Sequence, residues 1–585
     1  AGQPEFIFKH TLTREVAYES LPRRERAEAH AAVAEWIAET AGERSSEFVD
    51  LLAYHYHAAY RISVQDGRTA PDAIAGLRDR AFEALLRASE EARRRFAMGR
   101  AMALAEKAVS VAGDPVRRAR ALEQIGAVAI NDYRGDLAWR SFTEAADLRA
   151  AHAPEDRLAI GRACARAVEA PSRWPGSMRE TPSEEEVQRY LDLGFAHVDT
   201  DHDSEELVRL LTARAFGPFS VGTGRELRPG EYERAHDAGM RAAEMARRLG
   251  RLDLASAALD GASSAAIVLG RYGPALKIEQ ERLGLVDGLE DPWESGDIFA
   301  MGAWGNGYVG HYRTATELAE EGIRRTAEEA EGLQLHNLCW AAYAAVWLGD
   351  WDRILDELLP GVQAILGDRA DEPPYFTAHG YGAAAFVLDA RGDPAADGLI
   401  ATLRGLERIE HGRTIVSAWL AWIQAGRGRT AEALDRLRQV DETPSKSARP
   451  FTDQVWADVL TDALAVGKDV AGEIGPFLER ARAYAAEGDL VALPIHLDRL
   501  EAAGPALRDG DPRAIERLGG VRETFARLGA VWDVAGTDLL IGRVLLGAGS
   551  AVDARERLAS AVEVFERIGA RRPLEQARAL SAEPV

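Results

Sequence analysis

One short phrase returns three times between Leu269 and Ile354, and it limits what this chain can fold into more than any other feature. It reads Leu269-Gly270-Arg271-Tyr272-Gly273-Pro274-Ala275, then Val309-Gly310-His311-Tyr312-Arg313-Thr314-Ala315, then Leu348-Gly349-Asp350-Trp351-Asp352-Arg353-Ile354. The glycines lie 40 and 39 residues apart (310 − 270 and 349 − 310). Each phrase sets an apolar residue, a glycine, an aromatic two positions later and a small or aliphatic residue three further on. Recurrence at such a period marks stacked helix–turn–helix units, none of which can bury its apolar face alone. Glycine suits the turn because it has no Cβ. The aromatic opens the second helix of a pair and wedges against the first. The small residue then lets the two helices approach. Later turns fall near Gly392 and Gly426, separations of 43 and 34. The phrase Phe525-Ala526-Arg527-Leu528-Gly529-Ala530 returns 40 residues on as Phe565-Glu566-Arg567-Ile568-Gly569-Ala570. The expected fold is all-α: a helical-repeat solenoid of antiparallel helix pairs wound into a superhelix, with at most a short β element at Phe6–Lys9.

The repeated phrase resembles the tetratricopeptide (TPR) signature L-G-x-Y-x-x-A, stretched from about 34 residues to about 40. A second resemblance lies at the start. Phe8, His10, Leu12, Glu15, Tyr18, Leu21, Arg26 and His30 spell F-x-H-x-L-x-x-E-x-x-Y-x-x-L followed by R-x-x-x-H. This is similar to the junction between winged-helix module and helical repeats in bacterial STAND-type (AAA-like) ATPases. Those are the ATPases associated with adenylate/guanylate cyclases and the LuxR/MalT-like regulators. The F-x-R-[LI]-G-A phrase resembles their terminal repeats. The resemblance implies a sensor or scaffold region that follows a nucleotide-binding switch, absent from this sequence, and relays a signal to a cyclase or DNA-binding output. It also implies a cofactor-binding role for His10, in the place of the winged-helix histidine that reaches the β-phosphate of bound ADP. Without its P-loop half such a site is idle, and a plain helix-capping or packing role for His10 stays open.

The organisation expected is a winged-helix or junction remnant over 1–60, N-terminal helical repeats over 61–169, an irregular insertion over 170–230 and TPR-like repeats over 231–585. In the first segment a helix over Leu12–Leu21 would turn Leu12, Val16 and Tyr18 inward. Residues 170–185 hold three prolines and no periodicity, so they read as a loop.

At 585 residues the chain is too long for one compact core, and 46% hydrophobic content excludes wholesale disorder. The formal charge of −23 repels phosphate backbones, so no nucleic acid is expected through this segment. No run of 18 apolar residues occurs, so no membrane is expected. Cys164 and Cys339 are too few for a disulfide framework and read as buried thiols in a cytoplasmic protein.

Several motifs fail on inspection. His55 and His57 are two apart, which on a helix puts them on different faces, so no metal is expected. Asp199, Asp201 and Asp203 begin like a calcium loop, but Ser204 and Leu210 stand where Gly and Glu are needed. Gly217 to Thr223 lacks the P-loop lysine. Gly305-Asn306-Gly307-Tyr308-Val309-Gly310 spells G-x-G-x-x-G at a helix–turn–helix corner rather than after a strand. No catalytic residue and no cofactor beyond the ADP implied for His10 is expected.

Seven of the twelve tryptophans fall between Trp293 and Trp422. Those on first helices of their pairs would face the concave side of a solenoid. One reading is inter-repeat core. The other is a ligand groove of Trp304, Asn306, Asn337, Trp340, Tyr343 and Trp419, which offers rings and amides to a protein, peptide or small effector. Self-association is a further option. The competing function is an enzyme with its site in the irregular 195–230 region, where His197, Asp199, Asp201, His202 and Asp203 cluster.

Overall fold

The computed structural model describes residues 11–41, 48–174, 177–220, 228, 230–327, 331–367, 373–408, 412–442 and 448–582. Phe6–Lys9 and His10 lie outside them. Among the described residues every regular element is helical. The first run is α1 Thr11–Ser20, α2 Arg23–Ala41, α3 Val49–Asp66, α4 Pro71–Arg94, α5 Met98–Val111, α6 Pro115–Asn131, α7 Gly135–His152 and α8 Arg157–Ala167. Then come α9 Glu169–Arg173, α10 Glu184–His197, α11 Glu205–Ser220, α12 Glu231–Arg248, α13 Leu252–Val268, α14 Tyr272–Leu283, α15 Pro292–Val309, α16 Tyr312–Thr326 and α17 Glu331–Leu348. The remainder is α18 Trp351–Arg353, α19 Leu359–Leu366, α20 Thr377–Arg391, α21 Ala396–Gly405, α22 Arg413–Gly426, α23 Thr430–Glu442, α24 Arg449–Ala465, α25 Ala471–Glu487, α26 Ala492–Asp509, α27 Pro512–Leu528, α28 Val531–Gly547, α29 Ala551–Ile568 and α30 Arg571–Ser581. Between α18 and α19 the helix widens into a π turn over Ile354–Leu358. Pro360 accounts for it, since it has no N–H to give to the Asp356 carbonyl. The stretch expected to be an irregular insertion is helical over most of its described length, in α9, α10 and α11. None of the described helices is long and apolar enough to cross a membrane.

The chain divides into two compact units. The first comprises residues 1–167 and 192–198. Successive helices pack as antiparallel hairpins around Phe82, Leu85 and Ala88 of α4, Ala108 and Val111 of α5, and Ala53 of α3. Proline at N1 and the Asp114 carboxylate, which accepts from Arg117 N at 2.9 Å, start α6 where the pattern demands. The inward face foreseen for the first helix is not inward. Val16 is 63% exposed and Tyr18 39%, while the side chain of Leu12 lies outside the described set. Trp36, at 60%, is exposed in the same way.

The second unit comprises residues 168–191 and 199–585. Its first helices, α15, α17, α20, α22, α24, α26 and α28, each pack on the next. The coil is tight. α17 meets α28 five first helices later, and α20 meets α30 after the same number. One turn of the superhelix therefore lies directly on another. The repeated glycine turns form the seam: Gly273 N donates to Gly488 O at 3.1 Å, and Val491 N donates to Val309 O at 2.9 Å. Arg391 Nη2 reaches Ile568 O at 3.0 Å, and Arg572 Nη1 lies 2.8 Å from Asp389 Oδ2.

Candidate functional site

Because the coil closes, the inner face lined by the first helices becomes an interior. Trp304 is 4% exposed, Trp340 1%, and Tyr343, Trp419 and Asn337 0%. Trp304 stacks on Trp340 at 5.9 Å, and Tyr343 meets Trp340 edge-on at 5.8 Å. Trp419 lies 4.7 Å from Phe451. Asn306 is half-buried and spends its amide on Gly302 O at 2.9 Å and on His311 Nδ1 at 3.2 Å. The open groove expected for these six residues is instead filled by their own rings. The physical reason is the small number of helix pairs per turn, which brings the first helices close enough for these rings to meet across the interior.

His379 ties this spine together. Trp419 Nε1–H can only donate, so His379 Nδ1 accepts it at 3.3 Å. The proton of the neutral ring then sits on Nε2 and is donated to the Tyr308 hydroxyl oxygen at 2.9 Å. Burial holds His379 down at about 3 and the nearby His336 at about 4.

Two charged networks cross the interior. In the first, Arg173 of α9 makes a bidentate fork with Glu294 (2.9 and 2.8 Å), touches Asp297 at 2.7 Å and reaches Asp260 at 3.0 Å. Arg282, 0% exposed, joins Glu279 at 2.9 Å and Asp297 at 2.8 Å. Two arginines face four carboxyls. Burial pushes the Asp260 carboxyl well up despite Arg282, with Asp297 adding to the rise. The Pro-rich stretch taken for a loop thus carries a cation that bolts it to two repeat helices, α13 and α15, and Trp174 packs edge-on against Trp293 at 5.5 Å.

The second network joins consecutive first helices. His496 Nδ1 donates to Asp458 Oδ1 at 2.8 Å, and Arg499 binds Asp458 and also Asp533, the latter at 3.2 Å. Asp458, His496 and Asp533 lie close enough to ligate one ion. The positive charge these carboxylates need is already present as the Arg499 guanidinium, so the group fits a salt-bridge network better than a metal centre.

Beside this network the interior opens. A cavity of about 400 Å³ lies at the seam, lined by Trp422 of α22, Asp458 and Asp462 of α24, Arg499 of α26, Trp532 and Arg543 of α28, and Arg572 of α30. Trp422 is buried while Trp532 is half-exposed, 6.4 Å from it edge-on. Asp389 on the rim is held by Arg427 (2.6 Å) and Arg572 (2.8 Å). Asp462 is different. Its side chain is open to solvent, yet enough protein surrounds it that burial, with Asp458 nearby, pushes its carboxyl up to about 7. No sequence signal marked it, because it depends on residues far apart in the chain meeting at the seam.

The other expected residues fall elsewhere. His202 Nδ1 donates to Asp199 Oδ2 at 2.8 Å on an exposed turn, and Asp203 pairs with Arg248 at 2.7 Å. Asp201 gives its backbone N–H to Asp199, and His197 Nδ1 bonds Leu193 O at 2.9 Å. A wider cavity of about 750 Å³ nearby is lined by Arg214, Gly217, Arg234 and Arg241, and this acidic cluster is not part of its wall. Gly305 and Gly307 lie inside α15, and Gly310 caps it, so the G-x-G-x-x-G run is helical. His55 Nδ1 meets His30 Nδ1 at 2.8 Å, and Tyr18 hydroxyl meets His30 Nε2 at 2.8 Å, so two of the junction-motif residues are in contact.

The chain matches a chain of the APC/C hetero-tetramer Cut9-Hcn1 over 97% of its own length and 99% of the other's, at 13% identity and a TM-score of 0.51. The fold is an all-α, TPR-like solenoid. Weaker likenesses include yeast Tom70 (11% identity, 86% and 96% covered, TM-score 0.25) and the Saccharomyces cerevisiae separase-securin complex (9% identity, 96% and 42% covered, TM-score 0.40). No family model and no curated protein matches the sequence.

Proposed function

We propose that this TPR-like chain is a non-catalytic sensor and scaffold region. It binds a protein, peptide or small effector and passes that event to a nucleotide-binding switch with a cyclase or transcriptional output. The observation that carries the reading is where the open surfaces lie. Along the aromatic spine the interior of the second unit is filled by its own rings, and the Asp462 cavity beside it supplies a place for an effector. In the first unit, α1–α3 leave Val16, Trp36, Leu51 and Tyr54 exposed at 63, 60, 48 and 60%. Large apolar side chains left exposed on three successive helices support an interface with another domain, and the F-x-H-x-L junction resemblance makes that domain the winged-helix and ATPase module. By the same resemblance His10 is assigned the contact with bound ADP.

The test restores the N-terminal ATPase and compares wild type with His10→Ala and with Trp36→Glu. The reading expects weaker ADP retention and higher basal output in both. Unchanged ADP affinity and output in both would dispose of it. The cluster at 197–203 acts as a turn, so Asp199→Asn with Asp203→Asn leaves output unaltered. An activity abolished by that pair would favour the enzyme reading.

A further inference from the structure

We infer that the seam cavity binds a small zwitterion, an α-amino acid with an apolar or aromatic side chain, whose ammonium sits on Asp462 and whose carboxylate sits on Arg543, beside the rings of Trp422 and Trp532. This rests on the effector-binding reading above and names its ligand class. Most charges of the lining are already paired. Asp458 is bound by Arg499 and His496, and Asp389 by Arg427 and Arg572. Asp462 makes no side-chain hydrogen bond or ion pair among the described residues. Arg543 gives one N–H to Ala465 O at 2.6 Å and has no carboxylate within ion-pair distance among them. The cavity therefore holds a carboxylate and a guanidinium that act on each other electrostatically but do not join. Lys468, exposed on the lining, adds a second unspent cation. A simple amine would enter a cavity whose lining carries three acids and four bases, and a simple acid would meet Asp462. A zwitterion answers both.

Two further observations point to a guest. Arg499, only 6% exposed, lines the cavity with its Nε unpartnered. The walls are rings: Trp532 lies 5.3 Å from Phe386 and 5.8 Å from Phe565, an aromatic lining that leaves Trp532 half-exposed toward the opening. A volume of about 400 Å³ fits one such molecule. Around Asp462 the titratable and charged groups are Asp458, Arg499 and Arg543. Desolvation, with Asp458 nearby, raises its carboxyl above the ordinary range when the cavity is empty, so ammonium binding draws on the ionised form and weakens as pH falls.

The test is calorimetric titration of the full chain at pH 8 with L-phenylalanine, phenethylamine and 3-phenylpropanoate. Phenylalanine is expected to bind at least about tenfold more tightly than either half-ligand, equivalent to about 1.4 kcal/mol. Asp462→Asn should bring phenylalanine down to the affinity of 3-phenylpropanoate, and Arg543→Gln down to that of phenethylamine. Thermal unfolding of empty Asp462→Asn checks that the variant folds, since removing an exposed, unpartnered carboxylate should not lower its midpoint. No heat with phenylalanine, equal affinity for the half-ligands, or full affinity in Asp462→Asn would each overturn the inference. The titration needs no ATPase, so its failure leaves the relay experiment standing and the two readings are separable.

Discussion

Gly310 presents a bare Cα to Ala492, 182 residues further along the chain (492 − 310), so close that a Cβ on Gly310 would stand 2.5 Å from that of Ala492. The same glycine has φ +109°, a conformation L side chains rarely adopt. Two independent demands meet at one residue. The turn needs the backbone angle, and the next turn of the coil needs the space.

Gly310→Ala is therefore expected to cost about 2–5 kcal/mol, combining ~1–2 for the left-handed backbone with ~1–3 for overpacking. Ala492→Gly in the same chain should recover only part of the packing share, because the backbone N of residue 492 would still stand 2.8 Å from the added Cβ. Gly519 of α27 is the control: nothing lies within 4 Å of its added Cβ. Gly519→Ala should stabilise by ~0.5–1 kcal/mol. Urea midpoints of the four proteins decide it, and a harmless Gly310→Ala would remove the seam from the account.

Arg173→Ala is expected to cost ~3–5 kcal/mol, the usual penalty for leaving buried carboxylates without their cation. Arg173→Lys should recover only part, because an ammonium cannot reproduce the fork on Glu294. The loss should come with quenching changes at Trp174 and Trp293, whose contact Arg173 holds in place. A loss below ~1 kcal/mol would mean that α9 is not bolted to the repeats.

How much of this was legible in the sequence depends on the range of the interaction. The repeat phrase shows itself because turn, wedge and small residue all act within one helix pair. Tryptophans at helical spacing likewise announce an aromatic interior. The closing of the coil does not show, since Gly310 and Ala492 carry no mark of each other and the small rotation per repeat is set by packing summed over many pairs. For that reason Trp304, Trp340 and Trp419 could be placed on the inner face but not seen to fill it. Arg173 was hidden because a buried cation looks like any surface arginine until its three acids, on two other helices, are brought round it. Asp462 was hidden for the same reason. Val16 misled because helical periodicity predicts an apolar face without saying what covers it.

Acid should weaken the fold through the interior histidines. His379 and His336 are held at about 3 and about 4, below the unfolded value of ~6.5. The unfolded chain therefore takes up protons first. The stability these neutral rings contribute is complete above about pH 6.5 and is lost as pH falls toward 4 and then 3, by up to ~1.4 kcal/mol per pH unit per histidine. His379→Gln can still accept from Trp419 and donate to Tyr308, so it should retain most stability at pH 7 and show a shallower decline between pH 6.5 and 4. Identical slopes in urea titrations of the two proteins would show that His379 is not held neutral.

The account stands or falls on one turn of the superhelix lying on the next, and the amides of Gly273 and Val491 report that contact directly. Each sits near a turn between helices. Each donates across the seam, Gly273 to Gly488 O and Val491 to Val309 O, at 3.1 and 2.9 Å. In an open one-dimensional array such amides would face water and exchange at unprotected rates. Residue-resolved hydrogen exchange on the full chain should find both protected to nearly the level of the α17 and α24 interiors, with protection at Val491 falling in Gly310→Ala. Exchange of both amides at free-peptide rates in the wild type would contradict the closed coil.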